Sequence, residues 1–171
     1  MFNYLQTQFH NCERMKISLF TIGKTADAYL LEGLEIYEKR LQHYVNYARK
    51  ELPDVKNAKT LSTEQLKTQE GKVLLQQLSD TDELFLLDEN GQEFSSEELS
   101  QFIKQKMLHS SKSLVFAIGG AYGFSNEVYK KAVGKISLSR LTFSHQMVRL
   151  IFTEQIYRAF TIIKGEPYHH K

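Results

Sequence analysis

Short apolar runs and amphipathic stretches alternate along this 171-residue chain, and that alternation predicts its elements. K-I-S-L-F-T-I-G, Lys16 to Gly23, predicts a strand ending at a glycine suited to a sharp turn. Leu30, Leu34, Tyr37 and Leu41 then recur at helical spacing, which predicts a helix with one stripe facing the core. Val45 to Leu52 predicts a second strand closed by Pro53, and Ser62 with Gln65 forms a capping box for a helix running through Leu78. E-L-F-L-L-D, Glu83 to Asp88, has the apolar continuity of a buried strand, and Asn90-Gly91 predicts a turn after it. A second capping box, Ser95 with Glu98, opens a helix whose buried stripe is Leu99, Phe102, Ile103 and Met107. Ser113 to Ile118 is another buried strand, and Ser125 is placed to cap the helix that follows it. Strand and helix patterns in turn imply an α/β domain over Lys16 to Ile163, a mostly parallel sheet flanked by helices.

Three later segments carry candidate chemistry. Gly119-Gly120-Ala121-Tyr122-Gly123 follows a strand and precedes a helix, where glycines let a ligand approach the backbone. Its spacing is neither G-x-G-x-x-G nor the phosphate loop, so neither a dinucleotide nor a triphosphate is indicated, and a plain tight turn explains the glycines equally well. Lys135 to Ser144 alternates in part and is rich in hydroxyls. It reads either as exposed backbone able to hold a ligand or as an edge strand plus a helix cap supplied by Ser144. The last helix, from about His145 to Lys164, is apolar on more than one side, which implies a second buried surface and makes a partner subunit the economical explanation. His145, Arg149, Glu154 and Arg158 interrupt it, Glu154 and Arg158 at ion-pair spacing. Gly165 and Pro167 stop it before the tail Tyr168-His169-His170-Lys171.

Composition narrows the classes. A formal charge of +2 neither demands nor excludes RNA. The single Cys12 allows no internal disulfide, six histidines show no zinc spacing, and no apolar run has the length of a membrane span, so a cytoplasmic protein without metal is expected. Residues 1–14 show no sustained period and read equally as a short arm or as sequence upstream of a true start at Met15.

Four blocks, in order, resemble the RlmH-type ribosomal RNA large subunit methyltransferases of the SPOUT superfamily. They are L-L-D-E-N-G-Q-E-F-S-S-E (Leu86 to Glu97), I-G-G-A-Y-G (Ile118 to Gly123), L-S-R-L-T-F-S-H-Q-M-V-R (Leu138 to Arg149) and E-Q-I-Y-R-A-F-T-I-I-K-G-E-P-Y-H (Glu154 to His169). The resemblance spans Met15 to Lys171 and implies a methyltransferase domain over 15–171, with 1–14 as an extension. It departs at Ser144, often proline in the family, and at Ala121-Tyr122, where the family varies.

The resemblance implies a C-terminal trefoil knot that holds S-adenosylmethionine against Leu87, Gly119, Leu138, Ser139, Arg140, Leu141, Thr142 and Phe143. It also implies a homodimer whose sites are completed by the partner chain, and methyl transfer to N3 of a pseudouridine in 23S ribosomal RNA, on the assembled ribosome. Such transfer needs an in-line approach and a route for the N3 proton. His169 and Tyr168 are expected to position the acceptor or assist proton loss, and Arg149 and Arg158 to hold phosphate or cofactor groups. Lys39, Arg40, Arg49 and Lys50 are candidate phosphate contacts. A SPOUT enzyme acting on another RNA, or a non-catalytic α/β binding module, are the competing readings.

Overall fold

The computed structural model describes residues 15–109 and 113–169; the expectations for residues 1–14 and for His170 and Lys171 lie outside them. Five strands and five α-helices follow one another as β1 (Lys16–Ile22), α1 (Ala28–Leu41), β2 (Asn46–Leu52), α2 (Thr63–Leu75), β3 (Asp82–Glu93), α3 (Ser96–His109), β4 (Ser113–Ile118), α4 (Asn126–Lys131), β5 (Gly134–Ser137) and α5 (Met147–Lys164). The sheet order is β2-β1-β4-β3-β5 and every pairing is parallel. This is the α/β sheet that the alternating pattern implies.

Strand alternation sends residues to two apolar layers. Ile17, Leu19, Phe85, Leu114, Phe116 and Ile118 meet α3 and α5 on one face, where Phe116 and Phe152 stack with centroids 4.9 Å apart. Phe20, Ile22, Leu84, Leu86, Val115 and Ala117 meet Leu74 of α2 and Val128 of α4 on the other. Each fully buried Leu or Phe contributes about 2 kcal/mol, so the two layers hold the sheet rigid under its loops.

Both capping boxes form. Ser62 Oγ accepts the Gln65 amide while Gln65 accepts the Ser62 amide, and Ser95 and Glu98 repeat the exchange. Some boundaries differ from expectation. The α2 helix stops at Leu75 rather than Leu78, and Ser125 precedes α4 without a side-chain capping bond. The last helix begins at Met147, because Ser144 Oγ accepts the Met147 amide and His145-Gln146 turn before it.

The largest correction concerns β3. Asn90-Gly91 does not end the strand; pairing with β5 shifts between Leu87 and Gln92, so Asp88 to Gly91 bulge out before the strand resumes. Gly91 permits this, since a Cβ there would lie 2.5 Å from the Ile136 carbonyl carbon.

The over-apolar last helix is satisfied within the chain to a greater degree than expected. From Met147 to Ile163 no position is exposed, because α5 rests on the sheet, lies beside α1 and α3, and is covered by the tail. A Cβ on Gly33 of α1 would lie 3.0 Å from the Leu150 methyls, so the two helices pack closely there.

Candidate active site

Leu87 stands where β3 leaves its regular pairing, Ile118 ends β4 and Ile136 is the last residue but one of β5, and the segments beyond them line a cavity of about 640 Å³. Ligands of open α/β sheets sit at this carboxyl edge. Of the residues expected to hold a cofactor, Leu87, Gly119, Leu138, Ser139, Leu141, Thr142 and Phe143 line the cavity together. Arg140 does not: its side chain is 87 % exposed and pairs with Glu93 at 3.6 Å. The glycine loop is backed by itself, with a bridge between Gly120 and Gly123, and a Cβ on Gly119 would press on the Gly123 carbonyl at 3.1 Å.

The cavity wall also contains Asp88, Glu89, Tyr122, Tyr129 and His145, which the sequence reading left outside the cofactor set. Asp88 carries the one signal that was available, its place directly after Leu87 at a strand's end. Among the described residues that line the cavity there are two carboxylates and no lysine or arginine. Such a wall suits a cationic ligand and is wrong for a triphosphate. A sulfonium carrying an ammonium group therefore fits the donor set.

Behind the glycine loop, on the side away from the cavity, Glu70 approaches Gly120 so closely that a Cβ there would fall 2.6 Å from its carboxylate. Burial, with the charge of Asp54, raises the Glu70 carboxyl above its ordinary value.

Arg149 is 1 % exposed and does not line the cavity. Its guanidinium donates to Ile22 O at 2.7 Å, Gly23 O at 3.1 Å and Thr25 Oγ1 at 2.9 Å, and its Nε to His145 O at 3.1 Å. Burial pushes this guanidinium down, against the opposing charge of Glu51. Burial also works against the Glu51 carboxylate, yet hydrogen bonds from Thr25 and the charges of Arg49 and Arg149 hold it below its ordinary value. Arg149, expected to hold phosphate or cofactor groups, thus directs four hydrogen bonds to closing the β1–α1 loop against the root of α5.

The tail makes a second cluster. Gly165 adopts φ 70° and turns the chain back along α5. Tyr168 packs edge-on against Tyr157 with centroids 4.8 Å apart, and the Arg158 guanidinium lies over the Tyr168 ring at 4.8 Å. Glu154 accepts from Arg158 at 2.6 Å and from the Tyr168 hydroxyl at 3.1 Å, and Tyr37 stands 3.3 Å from that hydroxyl. Burial first, then the Tyr37 and Glu154 contacts, push the Tyr168 hydroxyl well above its ordinary range, so at neutral pH it is a donor. His169 Nε2 lies 3.0 Å from Glu97 Oε1, and its buried Nδ1 has no hydrogen-bond partner. When Nε2–H donates to the carboxylate, Nδ1 carries the lone pair.

None of Arg149, Arg158, Tyr168 and His169 lines the cavity of its own chain. Among the candidate phosphate contacts, Arg49 is committed to Glu38 at 2.6 Å and Lys50 to Gln77 at 2.6 Å, whereas Lys39 is exposed and Arg40 lies over Tyr37 and Tyr157 at 5.4 and 5.6 Å. No helix among the described residues is long and apolar enough to cross a membrane, and they contain no group of three or more His, Cys, Asp or Glu that would hold a metal ion.

Residues 15–169 match the family model described as predicted SPOUT methyltransferase. A ribosomal RNA large subunit methyltransferase H from Cytophaga hutchinsonii is 57% identical over 156 residues, covering 91% of this chain and 100% of the relative. Its namesake from Porphyromonas gingivalis W83 is 50% identical over 157 residues, 92% of this chain and 100% of the relative. A solved structure described as a probable methyltransferase from Bordetella pertussis Tohama I superposes with a TM-score of 0.54 at 7% identity, covering 91% of this chain and 99% of that one, a likeness of fold.

Proposed function

The chain belongs to the SPOUT methyltransferase family, and from that premise we propose that it methylates N3 of a pseudouridine in 23S ribosomal RNA, as a cytoplasmic homodimer acting on the assembled ribosome. The observation that carries the reading is the gathering of Leu87, Gly119 and five residues of the Leu138 to Phe143 run on one acidic cavity at the carboxyl edge of the sheet. Relatives matched over their full length bear the name of a large-subunit ribosomal RNA methyltransferase, which supports the substrate. The methyltransferase domain is taken as 15–171.

When bound, S-adenosylmethionine supplies an electrophilic methyl group. Leu87, Gly119 and five residues of the Leu138 to Phe143 run would hold it by backbone and apolar contact, and Asp88 and Glu89 would balance its positive charge. Fixing the methyl in line with the acceptor nitrogen is where a rigid cavity contributes most to the rate. His169, paired with Glu97, positions the acceptor or assists loss of the N3 proton. Tyr168, fixed by the hydrogen bond it donates to Glu154, helps position the acceptor base, and Arg158 beside it counters charge on the RNA.

The tail's absence from its own cavity favours sites completed across a dimer. Tyr29 and Ile36, exposed one helical face apart from the α1 core stripe, offer an apolar surface for the second copy. The decisive experiment incubates the protein with labelled cofactor and ribosomes from a strain lacking this modification. Label retained in 23S RNA at one pseudouridine is expected. Label on a different RNA would replace the substrate, and no transfer by a folded, cofactor-binding protein would favour a binding module. A mixture of His169→Ala chains with chains crippled in the cavity should regain activity if sites are shared, and stay inactive if they are not.

A further inference from the structure

One contact crosses the cavity wall and has no part in the cofactor set above. Tyr129, on α4, donates its hydroxyl to Asp88 Oδ2 at 2.6 Å, while the Asn90 amide donates to Asp88 Oδ1 at 2.9 Å. Asp88 opens the β3 bulge, and Tyr129 stands behind the glycine loop, its hydroxyl 3.9 Å from where a Gly123 Cβ would be. Both side chains line the cavity. The two walls they join, β3 and the segment after β4, share no ladder pairing beyond Leu87 and Ile118.

Resting on the cofactor reading above, we propose that Tyr129 is a positioning residue for the cofactor: it holds the Asp88 carboxylate in the cavity as the acceptor for the cofactor's hydrogen-bond donors. Those donors are the ribose hydroxyls and the ammonium group. A carboxylate has about four lone-pair sites, so Asp88 keeps acceptor capacity after taking the Tyr129 and Asn90 hydrogens. Charge-assisted bonds of this kind are among the strongest available to a small ligand.

The tyrosine is built to stay a donor. Its ring packs edge-on against Phe124 with centroids 5.9 Å apart, and Lys135 Nζ lies 5.7 Å from the ring centre. Burial, together with the bond to Asp88, pushes its hydroxyl up to about 12, so it remains protonated through the working range of any ribosome-directed enzyme.

The test is calorimetry with S-adenosylhomocysteine on Tyr129→Phe, Asp88→Asn and the double variant. The Phe variant keeps the ring and its packing and loses one hydroxyl, so its melting temperature should match the unsubstituted protein. Its dissociation constant should rise roughly tenfold, with kcat at saturating cofactor unchanged and KM for the cofactor raised. Asp88→Asn should weaken binding at least as much, and adding Tyr129→Phe to it should cost nothing further. 5′-Methylthioadenosine, which keeps the hydroxyls and lacks the ammonium, reads which donor Asp88 accepts from. Binding by Tyr129→Phe equal to the unsubstituted protein, or additive losses in the double variant, would overturn the proposal. Failure of the unsubstituted protein to bind S-adenosylhomocysteine would instead sink the cofactor reading beneath it.

Discussion

The cavity and the tail differ in what they are made of. The cavity is framed largely by backbone and by small or apolar residues: a glycine loop bridged to itself, a bulge allowed by Gly91, and a hydroxyl-rich segment after β5. The tail cluster is made of side chains, with Tyr37, Tyr157, Tyr168, Arg158 and Glu154 linked to one another and His169, next in the chain, paired with Glu97. A backbone-built wall tolerates little change in chain geometry and depends on few particular functional groups, Asp88 and Tyr129 among them. A side-chain cluster has the opposite sensitivity, and it is where charge and protons are handled.

That contrast is open to test, beginning where the effect should be largest. Gly91→Val places carbon atoms against the Ile136 backbone and should cost about 4 kcal/mol in denaturant unfolding and abolish cofactor binding. Retained binding would show that the bulge is not part of the wall. Arg149→Leu strands the carbonyls of Ile22 and Gly23 and should cost about 3 kcal/mol, seen as a lower denaturation midpoint. If stability held and only RNA affinity fell, Arg149 would return to the role of a phosphate contact.

His169→Ala should lower turnover with saturating RNA about 100-fold while leaving melting temperature and cofactor affinity unchanged. A loss of cofactor affinity would mean that the two regions are not separate, and unchanged turnover would remove His169 from catalysis. The smallest effect belongs to Glu70. Its folded-state pKa is raised, so its stabilising contribution is complete below the ordinary value near 4.5 and is lost as pH rises through the folded value. Glu70→Gln should therefore be more stable at pH 7 by about 0.5 kcal/mol, small because half the group is solvated, with the gap closing in acid. Equal stability at every pH would show that the glycine loop does not feel this carboxylate.

Local chemistry explains which features were readable in the chain. Both capping boxes, the strand that ends at Gly23 and the C-terminal stop at Gly165 depend on residues within a few positions of each other, and all four form. Asn90-Gly91 misleads because its dipeptide is a turn signal, whereas here the glycine is selected by close approach of β5, forty-five residues away for Gly91 and Ile136. The residues that the resemblance expected at the cofactor line one cavity, except Arg140, whose side chain leaves the wall that its neighbours form. Asp88 and Tyr129 escaped because each is ordinary in its own segment and acquires meaning only from the other.

The sequence by itself determined the order of strands and helices, the core-facing stripes of α1 and α3 and the family, because periodicity, caps and short motifs are local properties of the chain. Only the tertiary structure decided that β3 resumes after its bulge, that Arg149 is a buried clamp, that α5 is covered within one chain, and that Asp88 meets Tyr129. Those outcomes rest on which distant segments share a wall, and that is fixed by packing across a parallel sheet whose neighbouring strands are far apart along the chain.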